Sequence, residues 1–162
     1  MDEVPFPTLY AAHRAAVYRY LVAAVGPEGA EDCFQETFLA ALRAFPRLVD
    51  HRNLRAWILT IAHRKAIDHH RDRRRRGSEL ASATRAARRA DTDGVAAIPE
   101  PADEALWARV RALPSRQRTA LTLRVVGDLS YAAIAAATGT SAEASRQNVH
   151  LALVRLRRET DR

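Results

Sequence analysis

Lysine is almost absent from this 162-residue chain, since Lys65 is the single lysine among 26 basic residues. So complete a preference for arginine reads as the coding bias of GC-rich DNA, not as chemistry. Cysteine is reduced to Cys33, which excludes an internal disulfide framework and any cysteine-rich zinc site. Isoleucine and valine are sparse, while 33 of the 77 apolar residues are alanine, a balance that favours helices over a sheet-based core. No apolar run reaches the roughly 18 residues of a membrane span. The first ten residues carry Asp2, Glu3 and two prolines without an apolar stretch, so no signal peptide is expected. These absences point to an all-α, soluble and cytoplasmic protein of one or two small domains.

What is present is charge, unevenly placed. The net formal charge is +7 with a pI near 10.6, which points to a polyanionic partner without distinguishing nucleic acid from an anionic membrane. Residues 1–50 sum to −3, residues 51–76 to +7, residues 77–101 to −1 and residues 102–162 to +4. This alternation of acidic, basic, near-neutral and basic blocks predicts two binding modules and more than one partner surface. The expected division is a domain over 1–76, a flexible linker over 77–101 and a second domain over 102–162. The linker begins at Gly77, holds Pro99 and Pro101, and lacks a sustained apolar face.

Three helices are expected before the linker. The first follows a candidate N-cap at Thr8, places Leu9, Ala12, Val17, Tyr20, Leu21 and Ala24 on one stripe, and ends near Gly26. A second follows Pro27, with Cys33, Phe34, Thr37, Phe38, Ala41, Leu42 and Phe45 inward, and stops at Pro46. The third follows a cap at Asn53, buries Leu54, Trp57, Ile58, Ile61 and Ala62, and ends by Gly77. After the linker, one helix ends at Leu113-Pro114. Ser115, Ser130 and Ser141 are candidate caps for three more, with Leu121, Leu123 and Val125 partly buried in the first of these. The last helix turns Val149, Ala152, Leu153 and Leu156 inward. Ser145 falls on that same stripe and therefore either weakens the packing or needs a hydroxyl partner.

Two segments carry chemistry. Ala135 and Gly139 are spaced as a helix-turn-helix requires, the small side chain permitting close crossing and glycine the positive φ of the turn. The following helix presents Glu143, Arg146, Gln147 and His150 near its start, and Arg and Gln there can pair with base edges in a major groove. The same spacing also occurs in a plain helical hairpin. Upstream, the basic run His63–Arg76 shares a helix with Trp57, which combines phosphate-binding charge with stacking surfaces, as single-strand binders require. A solvated helix end is the simpler account of that charge. His63, His69 and His70 lack a mutual metal-ligand spacing, so no metal site is expected. No phosphate-cradling loop or nucleophile–base pair is present, so neither catalytic residues nor cofactors are expected.

These stretches resemble a known family. Asp32–Leu42 (DCFQETFLAAL) is similar to the core-polymerase-binding helix of bacterial sigma factors. Asn53–Arg71 (NLRAWILTIAHRKAIDHHR) looks like their −10 melting and recognition helix. Leu113–Arg118 (LPSRQR) and Leu129–Ala135 (LSYAAIA) resemble their −35-binding domain. Two such domains alone resemble the small extracytoplasmic-function type. The resemblance implies core RNA polymerase and promoter DNA as partners, with an anti-sigma factor as a further possible partner and no membrane insertion. It implies polymerase contacts at Asp32, Gln35, Glu36, Phe38 and Leu39, of which Asp32, Gln35 and Glu36 share one edge by their i, i+3, i+4 spacing. It implies −10 contacts at Asn53, Arg55, Trp57, His63, Arg64, Lys65, Asp68, His69 and Arg71. It implies −35 contacts at Ser130, Tyr131, Ser141, Arg146, Gln147 and His150. The chain departs from the family pattern at Ala133, Ser145 and Leu151. The alternatives are a helix-turn-helix regulator that never contacts polymerase and an adaptor whose basic face meets acidic protein.

Overall fold

The computed structural model describes residues 4–79 and 103–160, with side chains over 4–77 and 103–159. Among these residues there are seven α-helices and no strand: α1 (Phe6–Val25), α2 (Pro27–Ala44), α3 (Leu54–Glu79), α4 (Glu104–Ala112), α5 (Ser115–Val125), α6 (Tyr131–Thr138) and α7 (Ala142–Thr160). A single 3-10 turn, Phe45–Arg47, follows α2, where Pro46 ends the α pattern. Most of the expected linker lies outside the described residues.

The helix starts differ from expectation at two places. Thr8 is not a cap, because α1 already begins at Phe6 after Pro5, with the Pro5 carbonyl accepting from Thr8 and Leu9. The fixed φ of Pro7 suits the first turn, where its missing N–H removes no helical bond. Ser115 is the first residue of α5 rather than its cap, since the extended Pro114 precedes it. Asn53, Ser130 and Ser141 do cap, accepting from Ala56, Ala133 and Ala144 at 3.0, 3.1 and 3.0 Å. At the other end of α3, Gly77 does not stop the helix, which continues to Glu79. One glycine costs about 1 kcal/mol, and the arginines of that turn interact favourably with the helix dipole.

Helices α1, α2 and α3 pack on one another around Leu9, Val17, Tyr20, Leu21, Phe34, Ile58 and Leu59, all nearly fully buried. Gly26, at φ +83°, makes the turn from α1 into α2. Tyr10 sits edge-on to Phe38 at 4.8 Å between ring centroids, and Phe34 lies 4.9 Å from Phe38. The second unit packs α5 and α6 on α7 around Leu121, Leu123, Ile134, Val149 and Ala152. Several expected inward positions are exposed instead: Ala12, Leu42, Val125 and Leu153.

The two units share one continuous core, with α1 against α5 and α3 against α6. Arg55 on α3 donates to the Gly127 carbonyl at 3.2 Å. Gly127 fits there because an added Cβ would come within 2.5 Å of the Leu123 carbonyl oxygen and 2.9 Å of the Leu59 side chain. Buried Tyr20 meets His63 from within its own unit, and Arg118 and Thr119 of α5 approach it from the other.

Candidate functional site

The outer edge of α2 is the first candidate surface. Asp32, Gln35, Glu36 and Leu39 are exposed and follow one another at helical spacing. Leu42 continues the edge at half exposure, matching Leu39, at 50% and 52%. It is a residue that the sequence stripe assigned to the core, although its i+3 spacing from Leu39 carries the signal. Phe38, by contrast, is buried at 7% against Tyr10 and Phe34, so it shapes this edge from below and is not part of its surface. Beneath the edge, burial and the Glu36 and Asp32 carboxylates push the Cys33 thiol up to about 12. It stays protonated and inert.

Helix α3 divides the expected DNA-contacting residues into two sets. Asn53, Arg64, Asp68 and Arg71 are exposed, the last three at i, i+4 and i+7 along one stripe, and Lys65 is half-buried beside them. Asn53 also caps the helix, and the two roles are compatible. The other set is engaged in packing. Trp57 is half-buried with its ring 6.1 Å from Phe45, so one flank of the indole already rests on protein. Arg55 binds the Gly127 carbonyl. His63 Nδ1 lies 2.8 Å from the Tyr20 hydroxyl, and burial, then Arg64, lowers its pKa, so at neutral pH a neutral ring shares one hydrogen bond with the phenol. His69 packs so tightly on Gly29 that a Cβ there would fall 2.7 Å from Nε2. His70 Nε2 donates to the Ala24 carbonyl at 2.9 Å, satisfying the last turn of α1. Among the described residues, no three His, Cys, Asp or Glu side chains come together as a metal site.

The helix-turn-helix is formed by α6, the turn and α7. Gly139 takes the left-handed conformation, φ 68° and ψ 32°, and the Ala135 carbonyl accepts from both Gly139 and Thr140. This is a helix C-cap that only a residue tolerant of positive φ makes without strain. Ser145, 1% exposed, finds its hydroxyl partners locally: Oγ donates to the Ser141 carbonyl at 3.0 Å and lies 3.3 Å from Thr140 Oγ1. Arg146, Gln147 and His150 project from the first turns of α7 as exposed side chains. Arg146 pairs with Glu143 at 2.9 Å. Its guanidinium carbon also lies 5.2 Å from the centroid of the Tyr131 ring, which Arg124 approaches at 5.0 Å. Sequence reasoning missed Arg124, because nothing in its spacing links the end of α5 to α6. A cavity of about 430 Å³ opens between α3, the start of α5 and this turn, bordered by His63, Ile67, Arg116, Thr138 and Asn148. No helix among the described residues is long and apolar enough to cross a membrane.

Comparison with known proteins follows the same division. The model of Sigma-70 region 2 matches residues 9–76, and that of Sigma-70, region 4 matches residues 103–156. The chain is 36% identical to the ECF RNA polymerase sigma factor SigD of Mycobacterium tuberculosis over 154 residues, 90% of this chain and 72% of SigD. It is 34% identical to the ECF RNA polymerase sigma factor BldN of Streptomyces coelicolor over 140 residues. That match takes in 83% of this chain, which spans about half of BldN, 52%. Among solved structures, the sigma factor RpoE of Bartonella quintana, in complex with the anti-sigma factor NepR, superposes with a TM-score of 0.79 at 21% identity. That superposition covers 97% of this chain and 98% of RpoE. CnrH, in complex with the cytosolic domain of CnrY, gives 0.67 at 24% identity, covering 96% and 87% of the two chains. At these identities the two likenesses show the fold.

Proposed function

The chain belongs to the extracytoplasmic-function sigma factors, and from that premise we propose that it binds core RNA polymerase and directs it to promoters with −10 and −35 elements. The observation that carries this reading is the coexistence of two surfaces in one chain. One is the acidic and apolar edge of α2, Asp32 to Leu42; the other is a capped helix-turn-helix with Arg146, Gln147 and His150 exposed on α7. A helix-turn-helix regulator acting alone has no use for the first surface.

In this reading Asp32, Gln35, Glu36, Leu39 and Leu42 meet polymerase, the carboxylates by charge and the leucines by burial. Arg64, Lys65 and Arg71 hold single-stranded −10 DNA by its phosphates, and Trp57 offers the open side of its indole for stacking. Arg146, Gln147 and His150 read the −35 duplex. Residues 77–101 join the two promoter-binding domains, and the protein works in the cytoplasm without catalysis of its own. Arg55 is bonded to Gly127 of the second unit, so it becomes available to promoter DNA only when polymerase binding separates the units. An anti-sigma protein that holds them together is the fitting regulator.

Run-off transcription with core polymerase on genomic fragments, with start sites mapped, tests the reading. The expected result is a small set of starts sharing two spaced elements. Absence of both transcription and co-purification with core polymerase overturns it.

A further inference from the structure

Tyr131 stands at the first position of α6 with its ring facing two guanidinium groups from different helices: Arg124 from α5 and Arg146 from α7. Arg124 is anchored from behind, since its Nη1 donates to the Leu129 carbonyl at 2.9 Å. Arg146 is tethered on its other side by Glu143. Like charges repel, so two arginines sharing one ring require something that holds them. The electron-rich ring face, the Leu129 carbonyl and the Glu143 carboxylate supply it.

From this arrangement we infer that Tyr131 is a positioning residue that sets the conformation in which Arg146 reads the −35 duplex, with Arg124 completing the cation pair as a phosphate contact. The inference rests on the −35 reading above. An unrestrained arginine has many rotamers to lose when it forms a bidentate contact with guanine, and a stacked guanidinium has fewer. Discrimination at that base therefore depends on the ring, although the ring need not touch DNA. The two arginines also differ in role. Arg146 issues from the first turns of the recognition helix, where base edges are in reach, whereas Arg124 comes from the end of α5 and reaches the start of α6, the helix that crosses the backbone. The ring rather than the hydroxyl faces the cations, so phenylalanine should serve equally well.

The test is selection of −35 sequences from a randomised element by holoenzyme carrying the wild-type chain, Tyr131→Phe, Tyr131→Leu, Arg146→Ala, Arg124→Ala or Tyr131→Leu/Arg146→Ala. Thermal unfolding of each variant establishes that it folds. Tyr131→Leu is expected to lose about three- to five-fold of the preference at the base lost in Arg146→Ala, in keeping with an exposed cation–π contact. The double variant should lose no more than Arg146→Ala, and Tyr131→Phe should keep the wild-type profile. Arg124→Ala should weaken all sequences alike and lower the salt dependence by roughly one phosphate contact. A Tyr131→Leu variant that binds every sequence more weakly with its profile intact overturns the positioning role, as do losses that add in the double variant. If the wild-type chain itself selects no −35 sequence, the −35 reading falls and the inference with it. If Tyr131→Leu does not fold, the Tyr131→Phe and Arg124→Ala profiles decide. A changed base preference in Tyr131→Phe, or a changed preference instead of a uniform loss in Arg124→Ala, overturns the inference.

Discussion

Arg55 of α3 donates to the carbonyl oxygen of Gly127, 72 residues further along the chain. An arginine expected on promoter DNA thereby closes the first helical unit against the second. Gly127 sits in a gap that leaves no room for a side chain, because the Leu123 carbonyl is backbone and cannot move aside.

Gly127→Ala should therefore cost about 1–3 kcal/mol by overpacking, whereas Arg55→Ala should cost only about 1 kcal/mol for one partly exposed hydrogen bond. Thermal unfolding measures both. Small-angle scattering should show the Gly127→Ala chain more extended than wild type. An equally compact and equally stable variant would mean that the contact at Gly127 does not hold the units together.

On α2, surface and core should separate cleanly. Charge reversal at Asp32 and Glu36, or Leu42→Ser, should reduce core polymerase binding with little change in melting temperature, since these side chains are exposed. Phe38→Ala should instead destabilise the fold by about 3–5 kcal/mol. Anisotropy titration with core polymerase, paired with unfolding curves, distinguishes them. Wild-type affinity in the Asp32/Glu36 variant would refute the polymerase edge.

The exposed stripe of α3 should govern salt dependence. Replacing Arg64 and Arg71 by alanine should lower the slope of log affinity against log salt by roughly 0.7 for each lost single-strand phosphate contact. His63→Ala should leave the slope unchanged, because that ring faces Tyr20. Holoenzyme binding to a fork-junction template over a salt series reads both, and an unchanged slope in the arginine variant would exclude phosphate contacts.

Acid should destabilise the closed chain. Burial, aided by Arg55 for His13 and by Arg64 for His63, lowers both imidazole pKa values; burial, then His70, does the same for His69. The unfolded chain takes up these protons near the ordinary value of about 6.5, the folded chain only at lower pH. Stability present above that value should thus fall as pH drops below it. His63 faces Tyr20 on α1, and Arg64 is the charge that acts on it, so a proton there adds charge beside an arginine. Urea unfolding at pH 7.5 and 5.5 should show the loss, and His63→Gln should reduce it. Equal stability at both values in the wild-type chain would contradict the half-buried, neutral state of these rings.

Much of this protein is local and was therefore legible in its sequence. Caps at Asn53, Ser130 and Ser141 bond to amides three residues away. The left-handed turn at Gly139 depends on one residue's φ, and the acidic edge of α2 on spacing alone. Ser145 falls on the inward stripe by spacing alone, and of the two outcomes that position allows, weakened packing or a hydroxyl partner, the structure has the second, with both partners within five residues. What the tertiary structure decided is everything that depends on a neighbour distant along the chain. Spacing puts Phe38, Leu39 and Leu42 on adjoining strips of α2, but only the position of α1 buries Phe38 under Tyr10 and leaves both leucines outside. Arg55, His63 and His69 have the composition of DNA contacts, yet the close approach of Gly127, Tyr20 and Gly29 turns each toward protein. The Tyr131 ring gathers arginines from two other helices, 7 and 15 positions away along the chain. Helical periodicity records which way a side chain leaves its own axis. Which helix waits there is set by the packing of the whole chain.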